Sequence, residues 1–465
     1  MPRRPLASLA TALDEVWRLA LALSPLAVLA PLFLQHAFER LRPSRPSRLF
    51  ELAGVSVATA AVLAAAWVAR RRRLRGAALV PVGGWLLVVC MSLQLLGPAP
   101  SISWDFQAYE RAADAMRADT TPYPAVNPYY TYPPALARAM GAITTAIEAG
   151  LGETRAAAWA DLFYLCQLLQ IGLLSGAYVM LYRFAVQLGL DSVPAAIVVA
   201  SLLIVNTGIG LTIALSQVNV LILVLALTAI GRAGRRDALA GLALACAAVI
   251  KLYPFMLFPA WIMAGQRRVV AWATAWTGVI VAVTLPWKWW IEFVRLWLRP
   301  AAYPTAGDNT IYNVFANGAR FLGLTSPDAP PPVLRWLWIA SVLGIAAWAV
   351  SRFRARLEVQ RRSSGTSRLA GADLFACTAE VMALTLFVSP LVWVHHFVFA
   401  LPIAVLAAAT APPERRDLVG AGAILMLAMP WSDLFLFGYH RLFGLGLILY
   451  ACRPAIEPRS RAAMD

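Results

Sequence analysis

Charge is scarce in this chain. Only 14% of its 465 residues are Asp, Glu, Lys or Arg, and 60% are hydrophobic, whereas a soluble domain carries roughly 25% charged residues. That shortage excludes an ordinary water-soluble enzyme and makes the membrane span the unit of organisation. Acids are scarcer still, 24 against 40 basic residues, for a formal net charge of +16. The excess does not read as a nucleic-acid surface. The arginines stand in short clusters between apolar runs, the pattern of cytoplasmic loops in a multi-pass protein. Cysteine is sparse: Cys90, Cys166, Cys246, Cys377 and Cys452 all lie within or at the end of apolar runs. None pairs at CxxC spacing, which argues against a disulfide framework and a thiolate metal site; neither a metal nor a cofactor is expected. Pro2, Arg3 and Arg4 could open a signal peptide, but no small-residue cleavage site precedes a soluble domain. No internal repeat is evident either, which weakens a repeat-built transporter fold.

What is present is apolar sequence in runs. A helix needs about 20 apolar residues to cross the hydrocarbon core, fewer if it is broken around a cavity. On that measure spans fall near 17–36, 52–69, 77–97, 157–182, 193–211, 218–231, 238–251, 253–265, 269–287, 333–351, 371–389, 391–410, 417–431 and 434–451. The basic loops 70–75, 231–237, 265–268, 352–368 and 412–417 then share one side, the cytoplasm. The two longest loops, 98–156 and 287–332, face outward. One loop disagrees: ERLRPSRPSR, 39–48, is arginine-rich where parity would put it outside. The expected organisation is a pair of accessory helices in 1–76, a transmembrane domain over 77–452 and a cytoplasmic tail, 453–465.

The first outer loop opens with SISWDFQAYERAADAMR, residues 101–117. Phe106, Tyr109, Ala113 and Met116 recur at helical spacing, with Glu110, Arg111, Asp114 and Arg117 on the other faces, as in an amphipathic helix lying at the membrane interface. Pro122, Pro124 and Pro128 end it, Tyr123, Tyr129, Tyr130 and Tyr132 suit headgroup depth, and Pro133–Pro134 open a second helix, 135–147. Asp105, at its start, reads equally as a general base or as a helix cap.

Other polar residues interrupt apolar segments. Ser216, Gln217 and Asn219 stand at an outward hairpin turn, where their amides suit a hydroxyl-rich ligand or simply bind helices together. Lys251 sits between two short apolar runs whose outer ends are both cytoplasmic, so its ammonium lies near the outer leaflet or partway down a cavity. A lipid phosphate suits it; snorkelling to the headgroups is the alternative. His395 and His396 are half of the chain's histidines, and adjacent side chains point about 100° apart on a helix, so one faces a site and the other packs. In the second outer loop Trp287, Trp289, Trp290 and Trp297 read as interface anchors. Asn309, Asn313 and Asn317, at i, i+4 spacing, read as a solvated surface, with a sugar-lining face as the alternative.

Taken in order, DFxxYxxAA from Asp105, the PY…YPP stretch ending at Pro134, the QxN of Gln217 and Asn219, IKLYP around Lys251, and SP…W.HH ending at His396 resemble glycosyltransferase family 87, from about Ala77 to about Pro402. The resemblance implies an all-α polytopic fold of the GT-C type with interfacial helices in the first outer loop. It implies transfer of mannose, or a related hexose, from a polyprenyl phosphate to an extracytoplasmic acceptor, a glycolipid or glycan, with inversion and no cofactor, at the plasma (inner) membrane. Carried onto matching positions, it makes Asp105 the base and puts Lys251, His395 and His396 at the donor phosphate. Tyr132, Gln217 and Asn219 fall around the sugars, and Tyr109 and Asn313 are acceptor-side candidates. Two positions depart from the family pattern: Ser216 where Gly is frequent, and Val394 where a polar residue is frequent. The rival reading is a transporter or flippase of lipid-linked sugars, which would also use an ionisable intramembrane residue and broken helices.

Overall fold

The computed structural model describes residues 103–123, 130–204, 206–284, 286–297, 309–324, 332–365, 368–389, 391–429 and 437–452. The three apolar runs within 17–97, the two-helix unit 1–76, the arginine-rich loops 39–48 and 70–75, Cys90, Pro124, Pro128, Tyr129 and the tail 453–465 lie outside the described residues. What is described is helical, without a sheet. The helices are α1 (Trp104–Arg117), α2 (Pro134–Leu151), α3 (Arg155–Gln187), α4 (Ser192–Ile204), α5 (Thr207–Ala214), α6 (Asn219–Arg232), α7 (Asp237–Ile250), α8 (Leu257–Met263), α9 (Arg267–Val283) and α10 (Trp287–Trp297). They continue with α11 (Ile311–Phe321), α12 (Pro332–Ser364), α13 (Gly371–Val388), α14 (Leu401–Thr410), α15 (Arg416–Ala423) and α16 (His440–Ala451).

Every expected span among the described residues falls on one or two of these helices, but few cross alone. Arg155–Gln187, Pro332–Arg362 and Gly371–Val388 are long and apolar enough to span, and two bent pairs, α4 with α5 and α9 with α10, could each supply another. The others are shorter. At 1.5 Å per residue, the 14 residues of α6 or of α7 reach only about 21 Å of a roughly 30 Å core. Their ends are interrupted by irregular backbone. Lys251 caps α7 in an extended conformation, and the 3₁₀ turns Tyr253–Met256 and Val394–Ala400 precede α8 and α14. Irregular backbone at membrane depth survives where it is buried in protein or lines a cavity.

Three of the basic loops converge. Arg368 bonds Asp237 at 2.7 and 2.8 Å and Gln266 at 3.0 and 3.1 Å, Arg361 donates to the Met263 carbonyl, and the Leu369 N–H donates to the Ala264 carbonyl. Loops 231–237, 263–268 and 361–369 therefore share one end of the bundle. Gln217, Asn219 and Lys251 stand at the opposite ends of α6 and α7, about 20 Å away. Two glycines set the helix spacing. A Cβ on Gly241 would meet Trp272 Cβ at 2.5 Å, so α7 and α9 touch backbone to side chain; one on Gly208 would meet the Val394 carbonyl at 2.7 Å, so α5 and the 394–400 turn approach as closely.

α1 departs from its expected position. Phe106, Tyr109, Ala113 and Met116 are buried as the spacing predicts, together with Ala108 and Ala112, but the cover is protein rather than lipid. Phe106 meets Trp159 and Phe163 of α3 edge-on, at centroid distances of 5.8 and 5.1 Å. Such pairs add about 0.5–1.5 kcal/mol beyond buried area. The second outer helix starts one residue before and ends four after the expected 135–147, closing on Gly152 in the left-handed region. Trp289 is likewise buried, with the Arg138 guanidinium 5.9 Å from its ring, instead of anchoring the interface.

Candidate active site

Asp105 is not the cap of its helix. Ser103 is: its Oγ accepts from the Phe106 N–H at 3.2 Å and donates to the Leu215 carbonyl at 2.9 Å, which ties the start of α1 to the α5–α6 turn. The Asp105 carboxylate lies instead beside the Gln217 side chain and near the Lys251 charge. Burial pushes its pKa above the ordinary carboxylate value, against Gln217 and Lys251, which both hold it down.

Gln217 is held from several sides. Ser216 takes a positive φ of 50°, and its Oγ donates to the Phe163 carbonyl at 3.0 Å, while the Gln217 N–H donates to the Thr212 carbonyl at 2.8 Å. The side-chain Oε1 accepts from two phenols, Tyr109 at 3.2 Å and Tyr132. Asn219, one residue into α6, donates through Nδ2 to the His395 carbonyl at 3.2 Å, which leaves its Oδ1 to accept from Lys251 Nζ at 2.9 Å.

Lys251 is 5% exposed. Its Nζ shares a hydrogen bond with His396 Nε2 at 2.7 Å and lies 5.2 Å from the Tyr132 ring centroid and 5.5 Å from that of Tyr253. His396 is thus the histidine that meets the lysine. His395 stands perpendicular to it, ring centroids 4.5 Å apart, and contributes its carbonyl to Asn219. The other face of His396 is fixed by Tyr253, whose hydroxyl lies 2.8 Å from Nδ1, and by the Trp393 N–H, which donates to Nδ1 at 3.1 Å.

Asp105, Tyr109, Tyr132, Gln217, Asn219, Lys251 and His396 therefore form one connected cluster, with His395 attached through its backbone. Asn313 joins a different one. Asn309 and Asn313 are fully buried, not solvated, and α11 turns its amide face toward Tyr439, whose hydroxyl donates to the Asn313 carbonyl at 2.9 Å and accepts from Asn317 Nδ2 at 2.6 Å. Sequence reasoning quoted Tyr253 only as part of a motif and passed over Arg441, 1% exposed and bonded to Thr207 Oγ1 at 3.1 Å and the Met429 carbonyl at 2.7 Å. A compositional signal was available for the cluster itself: only two of the chain's 40 basic residues, Lys251 and Lys288, are lysine. Among the described residues no group of three or more His, Cys, Asp or Glu could hold a metal ion.

A carboxylate and an ammonium facing one another across amides and phenols, within an all-α membrane protein, define a membrane-embedded site built for polar group chemistry. The family model for glycosyltransferase family 87 matches residues 130–390, more than half of the 465. The chain belongs to that family and is a membrane glycosyltransferase. The matched range includes Tyr132, Gln217, Asn219 and Lys251; Asp105 precedes it, and His395 and His396 follow it. No curated protein matches the chain.

Proposed function

We propose that the protein transfers mannose, or a related hexose, from a polyprenyl phosphate to an acceptor hydroxyl on the extracytoplasmic side of the plasma membrane, with inversion, in a GT-C-type catalytic domain. The observation that carries this reading is that one amide and one ring, Gln217 and Tyr132, separate the carboxylate of Asp105 from the Lys251–His396 pair. Asp105 accepts the proton of the attacking hydroxyl as its oxygen bonds to the anomeric carbon. The bond from that carbon to the phosphate oxygen breaks in the same displacement, and the charge on the departing lipid phosphate meets Lys251 and His396. A single carboxylate suffices because a phosphate leaves without being protonated by a carboxylic acid, unlike the leaving sugar of a glycosidase. One displacement converts a β-linked donor into an α-linked product. Asn219 holds the ammonium in place, and Tyr132 and Tyr109 line the path between the two ends.

The reading is tested by giving purified protein radiolabelled polyprenyl-phosphate mannose with membrane lipid extract as acceptor, wild type beside Asp105→Asn. Label should move to a new lipid or glycan product with the wild type only. If neither protein turns over the lipid-linked sugar, the donor is wrong. If Asp105→Asn turns over as fast as wild type, the base is wrong.

A further inference from the structure

Helix α10 stands apart from the catalytic cluster and is joined to it by a short series of side chains. It leaves α9 at a bend of 116° and has two unlike faces. Trp287, Ile291 and Val294 are exposed, as suits a helix at the membrane surface, while Trp289 and Phe293, one turn apart, are buried. On and beside the buried face, four contacts hold the first outer loop. Lys288 Nζ pairs with Asp119 at 3.0 Å, and the Arg138 guanidinium lies over the Trp289 ring. The Thr121 hydroxyl donates to the Glu292 carboxylate, and the Phe293 ring lies 6.0 Å from that of Tyr123. Asp119 takes a positive φ of 54°, which a residue other than glycine keeps only when its surroundings hold it there. The series then continues inward. The Thr121 oxygen accepts from the Tyr123 N–H at 3.2 Å, and the Tyr123 hydroxyl donates to the Tyr132 carbonyl at 3.0 Å. Each direction is set by a partner with a single role, since carboxylates and carbonyls only accept and a backbone N–H only donates. Tyr130 adds a second tether: its hydroxyl donates to the Pro133 carbonyl at 2.7 Å and accepts from the Ala137 N–H at 3.1 Å. Tyr132 ends the series, with its hydroxyl bonded to Gln217 and its ring 5.2 Å from Lys251 Nζ.

We propose that α10 is a clasp for the donor end of the site, with Glu292 and Tyr123 as positioning residues that hold the Tyr132 backbone so that its ring stays against Lys251. This rests on the reading of Lys251 as the cation at the donor phosphate. Neither Glu292 nor Tyr123 touches the reacting groups; both act through Tyr132. Tyr123 is buried between Phe293 and Tyr130, so its ring fills the joint while its hydroxyl makes the tie. The two long outer loops thereby work as one unit, and a helix whose tryptophans read as interface anchors gains a task in the reaction.

The test has one arm without substrate and one with it. Hydrogen exchange of the full chain in lipid nanodiscs, read by mass spectrometry, follows the peptide that spans residues 130–132. Tyr123→Phe keeps the ring contacts and removes only the hydroxyl; Thr121→Val keeps the shape of the side chain and removes the bond to Glu292. Each should speed exchange over 130–132 about fivefold or more, with exchange in α13 unchanged. Glu292→Ala should act as Thr121→Val does, and Glu292→Gln, which still accepts from the Thr121 hydroxyl, should recover most of the loss. In turnover assays with polyprenyl-phosphate mannose, Tyr123→Phe should raise the donor KM about fivefold. In a Tyr132→Leu background, where the ring is already gone, the same change should add less than about twofold. A residue that merely supported the fold would cost as much in either background. Exchange over 130–132 equal to wild type in both Tyr123→Phe and Thr121→Val overturns the proposal, as does an equal loss in the two backgrounds. Thr121→Val, at the outer edge of the platform, remains informative if Tyr123→Phe fails to fold. The exchange arm needs no donor, so failure of the transferase reading and failure of this one are told apart.

Discussion

Two of the buried polar clusters in this protein are built on opposite principles. Near the C-terminal end of α16, Glu380 accepts from Arg352 through Nε at 3.0 Å and Nη2 at 2.9 Å and also from Arg356, and both arginines donate to the Cys452 carbonyl. The three side chains are 2–11% exposed. Opposite charges touch, the guanidiniums cannot lose their protons, and helix α16 ends on two cations. In the candidate active site the carboxylate and the ammonium do not touch. Asp105 lies beside the Gln217 side chain, Lys251 is held by an amide and an imidazole, and the Tyr132 ring lies 5.2 Å from the Lys251 nitrogen. A direct ion pair would quench both groups. Keeping them apart costs stability and leaves each able to meet a substrate. Arginine supplies the charge where structure is wanted, and one of the chain's two lysines where a compact point charge meets a ligand.

That contrast can be broken by experiment. The largest expected effect is on turnover: Asp105→Asn should lower it about 10²–10⁴-fold, the range for removing a general base, measured with labelled donor. The same variant should melt no lower than wild type at neutral pH. The folded pKa of Asp105 is raised, so its ionised form opposes folding at pH values above that pKa; the amide removes this penalty, and the difference should vanish on acidification. Lys251→Met should cost about 10²–10³-fold, read in the same assay, as loss of a charge stabilising the leaving group. Glu380→Gln should behave in the reverse manner. It leaves two buried guanidiniums without a counter-charge and should lower stability by about 3–5 kcal/mol in a detergent melt, with activity per folded molecule preserved. Equal losses of stability in Asp105→Asn and Glu380→Gln would erase the distinction.

Smaller effects sharpen it. Gly208→Ala drives a methyl against the Val394 carbonyl and should cost about 1–3 kcal/mol of overpacking strain while also lowering turnover, because the displaced turn carries His396. Among pH effects, turnover should fall as pH drops through the Asp105 pKa, with the midpoint above that of an ordinary carboxylate, and Lys251→Met should shift it further up by removing a favourable charge. A midpoint in the usual carboxylate range would place Asp105 in water.

Much of the outline was legible in the chain. Apolar runs and breakers located most of the described helices, though not α11 or the extension of α12 through 352–364, because burying an apolar stripe or face against protein or lipid leaves the same 3.6-residue signature. That signature names no partner, which is why α1 was expected on lipid and is instead covered by Trp159 and Phe163. Asn309 and Asn313 were misjudged for the same reason: an amide is equally at home in water and against a buried hydroxyl.

The linear sequence by itself determined the class: a helical, membrane-bound glycosyltransferase with an acid in one loop and a lone lysine in a broken hairpin. Residue type, spacing and order are one-dimensional properties, and the forces they invoke act locally. Only the tertiary structure decided which of two adjacent histidines meets Lys251, and that Gln217 meets the phenols of Tyr109 and Tyr132. Those choices depend on chain segments far apart in sequence arriving within hydrogen-bond reach, where a donor or acceptor already occupied by one neighbour is no longer free for another.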